Sequence, residues 1–272
     1  VVSAHQPAPI IVSYMNQVSS TGLSKVDYLI TDDHISPASI SDKFFTERLI
    51  RLPDFICYCP PEIEVPIKPP PVLKNGYVTF GCFNNLAKVN QNVVTKWSDI
   101  LLSVSNSRIR LMAGGYNDKT MQARYLKLFI DRGIDQNRID FVAIIPGRKE
   151  YLSQYNLIDI ALDTFPFTGG TVTDEAIYMS VPLITLAGNI EMGCMSKSKL
   201  SRLNLYELIA YNVEDYVQIA INLANDVERI KKFKTEIRDL ALGTIFNGKD
   251  HVNALEGVYR QMWKDYCIQN SA

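Results

Sequence analysis

Three observations predict an α/β fold with a parallel sheet covered by helices on both faces. Beyond residue 76, short apolar runs alternate with stretches of helical spacing, the pattern of strands joined by crossover helices. A proline-rich stretch, Pro60 to Pro71, separates that region from the first 59 residues, because PPEIEVPIKPPP cannot sustain a helix and favours extended geometry. The segment Ile158 to Met179 reads strand, hydroxyl-rich turn, helix, the local unit that builds anion sites in such sheets.

The elements follow in order. Ile10 to Tyr14 and Tyr28 to Thr31 are short apolar strands, separated by a polar loop from Met15 to Gly22. Pro37 to Arg48 has loose helical spacing, and Leu49 to Cys59 holds one or two extended pieces. Tyr77 to Cys82 is a strand, and Asn90 caps a helix running to Val104 with Val93, Trp97, Ile100 and Leu101 on one face. Arg108 to Met112 is a strand, Met121 to Arg132 a helix stopped by Gly133, and Ile139 to Val142 a strand. Lys149 to Tyr155 is a helix, Ile158 to Leu162 a strand, Thr173 to Met179 a helix, Pro182 to Leu186 a strand and Lys197 to Leu203 a short helix. Helices Val213 to Asn225, Val227 to Ala241 and Asp250 to Tyr266 close the chain. The resulting division is 1–59, a 60–76 linker, and a 77–272 lobe. No repeat or low-complexity tract interrupts it.

With 272 residues and 47% hydrophobic content, the chain can bury a sizeable core. A net charge of −1 gives no electrostatic case for nucleic acid or an anionic membrane, and no apolar run approaches the roughly 20 residues of a membrane span. The first residues lack the basic and apolar regions of a signal peptide. Five scattered cysteines, Cys57, Cys59, Cys82, Cys194 and Cys267, argue for a reducing compartment, and Cys57 with Cys59 is too little for zinc. His5, His34 and His251 share no metal-ligand spacing, and neither a nucleophile elbow nor a phosphate-binding Walker loop occurs.

Chemistry concentrates in the loops after Cys82, Met112, Val142 and Leu162, since a parallel sheet binds ligands at the carboxyl ends of its strands. Gly169 and Gly170 allow close approach of a ligand, Thr171 and Thr173 can cap the helix or bond a phosphate, and Glu175 can meet a sugar hydroxyl from the first turn. An ordinary β–α turn with capping threonines fits the same pattern. Lys88 is a point charge for phosphate or one of 28 basic residues on a solvated surface. Arg148 can lean on a nucleobase, pair with a phosphate, or belong to a helix-start charge cluster. Asp32 and Asp33 read as a solvated turn, and Trp97, Trp263 and Tyr266 as core. The residues alone reach an anion-friendly crevice suited to a nucleotide or sugar phosphate.

The segments FGCFNNLAKVNQNVVTKWSDIL, GIDQNRIDF, IDIALDTFPFTGGTVTDEAIYMSVPLITLAG and LSRLNLYELIA resemble, in order, the C-terminal catalytic region of the O-GlcNAc transferase/SPINDLY-type enzymes, glycosyltransferase family 41. The bacterial members look closest, as the short proline-rich linker also implies. QPAPIIVSY and STGLSKVDYLITDDHISP resemble the end of the family's N-terminal lobe, so 1–59 is expected to be a partial lobe. The resemblance implies the GT-B architecture, a UDP-sugar donor with no metal or other cofactor, and transfer of GlcNAc or a related sugar to Ser or Thr of a protein with inversion. It implies that Lys88 neutralises the diphosphate as the catalytic cation and that Asn85 is the amide residue before it. Arg148 is placed beside the uracil, Gly170, Thr171 and Val172 in the phosphate-holding tripeptide, and Glu175 on the ribose. Gly169 and Thr173 complete the UDP-sugar site. A cytoplasmic location is expected.

Two departures stand out. Asn16 to Gly22 replaces a glycine-rich first loop, and Glu191-Met192-Gly193-Cys194 replaces the usual His-Ala-Ser-Arg. The family's histidine base candidates, most of its N-terminal lobe and its tetratricopeptide repeats match nothing here. The expectation is therefore a fragment, inactive alone, that supplies the donor-binding half. A non-catalytic scaffold derived from such an enzyme, or a transferase acting on a glycan or small molecule, are the alternatives.

Overall fold

The computed structural model describes residues 2–15 and 19–271. A small parallel sheet, in the order β1 (Val12–Ser13), β2 (Tyr28–Thr31), β3 (Arg48–Arg51), comes first. Between β2 and β3 the helical spacing yields only one turn of α1 (Ala38–Ser41) and a 3-10 turn, Asp42–Phe44, rather than a helix reaching Arg48. Arg48 instead opens β3, opposite Tyr28, because the strand register outweighs a loose helical pattern.

From Leu52 to Pro71 there is neither helix nor strand. This stretch is nonetheless fastened down. Asn156 accepts from Lys68 N at 2.9 Å and donates to Pro66 O at 3.0 Å. Arg238 donates to Val65 O at 3.0 Å, and Val65 is fully buried. Prolines leave carbonyls without neighbouring donors, so side chains from the larger lobe supply them.

The larger lobe contains α2 (Val72–Asn75), β4 (Val78–Cys82), α3 (Gln91–Ser103), β5 (Ser107–Met112), α4 (Lys119–Ile130), β6 (Ile139–Val142) and α5 (Arg148–Ser153). It continues with β7 (Ile160–Leu162), α6 (Thr171–Tyr178), β8 (Leu183–Leu186), α7 (Met195–Arg202), β9 (Ile209–Ala210), α8 (Val213–Ala224), α9 (Val227–Leu242) and α10 (Gly248–Asn270). Its strands are all parallel, in the order β6-β5-β4-β7-β8-β9. The order reverses between β4 and β7, so the loops leaving those two strands diverge and open a crevice between them. Every residue of β4 and β7 is buried, as expected of central strands covered on both faces.

Helix α3 shows how the sequence makes this layer. Asn90 caps it by accepting from Val93 N at 3.1 Å. Val93, Val94, Trp97, Ile100 and Leu101 are at most 1% exposed. Burying each such large side chain contributes about 1.5–3 kcal/mol. Trp97 donates its indole N–H to Tyr216 OH at 3.0 Å, and that hydroxyl donates to Asp163 O at 2.8 Å, so the core is tied to the loop above it. Trp263 departs from the core expectation: it is 54% exposed on α10, stacked on the half-buried Tyr266 at 5.5 Å between ring centroids. Among the described residues, no helix is long and apolar enough to cross a membrane.

Candidate functional site

The loops after β4 and β7 meet across the crevice, and a buried aspartate organises them. Asp163, immediately after β7, is fully buried. Its carboxylate accepts from Gly169 N at 2.8 Å, Thr164 N at 2.9 Å, Thr185 Oγ1 at 2.8 Å and Asn84 Nδ2 at 3.2 Å. Four donors offset much of the cost of burying the group, although burial still pushes its pKa above the usual carboxylate range. The result is a loop, 163–170, folded back on its own first residue. Gly169 is required there, because a Cβ would lie 2.3 Å from Thr173 Oγ1.

Lys88 reaches across to that loop. Asn85 starts the 3-10 turn Leu86–Lys88, its side chain accepting from Ala87 N at 2.9 Å. Lys88 Nζ then donates to Thr168 O at 2.7 Å and sits 3.8 Å from the Phe167 ring centroid. Burial pushes the Lys88 pKa down, and the Asp163 carboxylate opposes that shift. Asn90 Nδ2 holds Phe165 O at 2.9 Å, so the first loop fixes the second at two points.

Helix α6 begins at Thr171, two residues before its predicted start. Gly170 occupies the cap position and no side chain caps the helix. Thr171 and Thr173 therefore do not cap it; Thr173 Oγ1 is instead 2.7 Å from Ser196 Oγ, fully buried. The uncapped first amides, with the positive end of the helix dipole, face the end of the loop that Lys88 holds. Val172 packs against the core at the same turn.

The earlier start moves Glu175 out of the first turn, where Asp174 sits instead. Glu175 is 3% exposed and both its oxygens are engaged. Arg148 pairs with Oε1, while Tyr151 OH and Tyr155 OH donate to Oε2 at 2.9 Å and 3.3 Å. Arg148 also donates to Tyr58 OH at 2.6 Å, which ties the segment before the linker to this corner. Arg148 thus contacts a carboxylate and a phenol from the protein. Its side chain remains 40% exposed at the edge of the crevice.

Several charged residues that sequence spacing did not assign to the site converge below the helix start. Asp32 is not a solvated turn residue: it is 1% exposed, accepts from His34 N at 2.9 Å and Ile35 N at 2.8 Å, and takes a bond from Ser198 Oγ at 2.6 Å. Asp33 is the exposed partner, 3.3 Å from Arg51 Nε. Lys199, 7% exposed, lies 3.4 Å from Asp174 and 3.6 Å from Asp54 and donates to Ile56 O. Burial raises Asp174 to about 6 against the lowering pull of Lys199. Asp32, Phe55, Gly170, Thr171, Asp174 and Lys199 line a cavity of about 100 Å³. The Asp32–Ser198 pair spans 166 residues, and no local pattern could have announced it. Of the two divergent stretches, Asn16, Gln17 and Val18 lie outside the described residues, whereas Glu191–Gly193 forms a 3-10 turn whose Met192 O accepts from Thr168 N and Oγ1 at 3.2 Å and 3.0 Å.

Among known proteins, the profile described as Glycosyl transferase family 41 matches residues 60–255. A probable UDP-N-acetylglucosamine–peptide N-acetylglucosaminyltransferase SPINDLY of Arabidopsis thaliana is 40% identical over 97% of this chain and 29% of its own length. A protein of the same name from Petunia hybrida is 38% identical, over 97% and 28%. A solved mutant O-GlcNAc transferase of Thermobaculum terrenum superimposes with a TM-score of 0.91 at 33% identity, over 99% of this chain and 51% of that one. The chain therefore spans under a third of the length of these plant relatives and half of the solved one.

Proposed function

The chain belongs to glycosyltransferase family 41, and from that premise we propose that it supplies the donor-binding half of a UDP-sugar-dependent transferase. The reading gives GlcNAc or a related sugar as the group transferred, with inversion, and Ser or Thr hydroxyls of a protein as acceptor. It needs no metal, because Lys88 and the start of α6 provide positive charge where the departing UDP becomes most negative.

The observation that carries this reading is the convergence at the strand-order reversal. Lys88, from the loop after β4, is held 2.7 Å from Thr168 O, three residues before the uncapped helix start at Thr171. In this reading the first amides of α6, at Gly170, Thr171 and Val172, and the Thr171 hydroxyl hold the diphosphate, Gly169 and Thr173 shape that turn through Asp163 and Ser196, and Asn85 shapes the turn that presents Lys88. Glu175 receives the ribose hydroxyls once they compete with Tyr151, Tyr155 and Arg148, and Arg148 swings to the nucleobase. In this reading the relatives' remaining length corresponds to the rest of the catalytic region and to any repeats that choose protein acceptors. A cytoplasmic, reducing setting fits five cysteines that are all free, and the short 60–71 joint supports the bacterial type of the family.

Calorimetric titration of UDP, UDP-GlcNAc and GDP-sugars tests it. UDP and its sugar should bind, GDP-sugars should not, and Lys88→Ala should weaken UDP roughly 10- to 100-fold, the loss of one charge-assisted contact of about 1.5–3 kcal/mol. Absence of binding to every nucleotide would overturn the donor-site reading in favour of the scaffold.

A further inference from the structure

At the opposite end of the larger sheet, where the strands begin, lies a groove of about 830 Å³. Its floor is the face of β4 and β5 that carries Thr79, Arg108 and Arg110, side chains that share a face because strand residues alternate. Its rim is the proline-rich stretch, from Lys68 to Lys74. Four cations line it, Lys68, Lys74, Arg108 and Arg110, against one carboxylate, Asp140.

That carboxylate is already used. Asp140 pairs with Arg110 Nη1, and Gln154 takes Nη2 at 2.9 Å. Arg110 is therefore engaged, while Lys68, Lys74 and Arg108 are exposed. Among the described residues no carboxylate pairs with Lys68, Lys74 or Arg108. Arg108 only stacks over Tyr77, 4.8 Å from the ring centroid. A positive cluster on a chain of net charge −1 is not a by-product of composition.

We propose that this groove docks an acidic segment of a protein partner in extended conformation, with Asp or Glu carboxylates meeting Lys68, Lys74 and Arg108. The spread of the charges favours a chain of carboxylates over one compact phosphate. Stacked bases are not favoured, because the one aromatic ring lining the groove, Tyr77, is already covered by Arg108. The prolines at the rim, Pro69, Pro70 and Pro71, have a fixed φ and lose little backbone entropy on binding.

Titration with end-capped octaglutamate, and with octaglutamine as the neutral control, tests the proposal on this chain. Octaglutamate should bind and octaglutamine should not, with affinity falling as ionic strength rises from about 20 mM to about 200 mM. Lys68→Ala, Lys74→Ala and Arg108→Ala should each weaken binding roughly two- to fivefold, the range for an exposed charge pair. All three are exposed, so the triple variant should keep its melting temperature and its UDP titration. Equal binding of octaglutamine, or unchanged octaglutamate binding by the triple variant, would overturn the proposal. Tighter binding of inorganic phosphate or of a single-stranded oligonucleotide, lost in the same variants, would assign the groove to a different ligand class and overturn it as well.

Discussion

Asp159 and Asp163 bracket β7 at its two ends, and both are at most 1% exposed. Asp159 accepts from Val72 N at 2.9 Å and Thr79 N at 2.8 Å, pinning the end of the proline-rich stretch to the start of β4. Asp163 holds Gly169 N, Thr164 N, Thr185 and Asn84, all around the crevice. Each is a buried carboxylate satisfied by backbone amides, yet their positive neighbours differ. Near Asp159 stands Lys234, itself buried and donating to Met179 O at 3.1 Å. Near Asp163 stands Lys88, half-buried and reaching the loop from the crevice side. The same device thus closes one end of the strand and leaves the other open to an anion.

The largest effect that would sharpen this contrast is truncation of the two aspartates. Asp163→Ala orphans two buried amides and two side-chain donors and should cost about 4 kcal/mol or more. Asp159→Ala orphans two amides and should cost about 3 kcal/mol. Chemical denaturation measures both, and UDP titration separates them: the Asp159 variant, where folded, should retain nucleotide affinity and the Asp163 variant should lose it. Equal retention would erase the distinction.

A smaller effect comes from Gly169→Ala. The new Cβ must displace Thr173 Oγ1, and such overpacking costs about 1–3 kcal/mol. Its melting temperature should fall together with UDP affinity, because the displaced atoms belong to the same turn. A stable variant with intact affinity would show the loop to be looser than these contacts require.

The smallest effect is a pH signature of the closed end. Burial raises Asp159 to about 6, so between its ordinary range and pH 6 the folded state holds more protons and stability falls as pH rises. Burial lowers Lys234 to about 7, so from pH 7 to its ordinary range the unfolded state holds more protons and stability rises with pH. The pair therefore contributes a trough between about 6 and 7. Subtracting the stability–pH curve of Lys234→Met from that of the parent should isolate the alkaline rise; a flat difference would refute the assignment.

Much of the layered fold was legible because it is written locally. The capping Asn90, the apolar face from Val93 to Leu101, and the all-buried strands around Phe80 and Ala161 are periodic signals a few residues long. Strand β9, two residues in all, carries no period and was missed. The crevice loops were legible as a group, since Lys88 and Gly169 follow strands that a parallel sheet brings together. The buried charges were not. Asp32 looks like a turn residue until Ser198 covers it, and Asp174 looks like a helix-start acid until Lys199 meets it at 3.4 Å. Burial of a charge is decided by a partner distant in sequence. Glu175 shows the limit from the other side, since a shift of two residues in the start of α6 takes it out of the first turn and into the second.

Amide hydrogen exchange with and without UDP tests the central claim most directly. The account predicts that UDP protects the amides from Thr168 to Glu175 and the turn at Leu86–Lys88, while those from Pro66 to Thr79 exchange as before. Protection confined to the closed end of the sheet, or none at Thr171 and Val172, would contradict it.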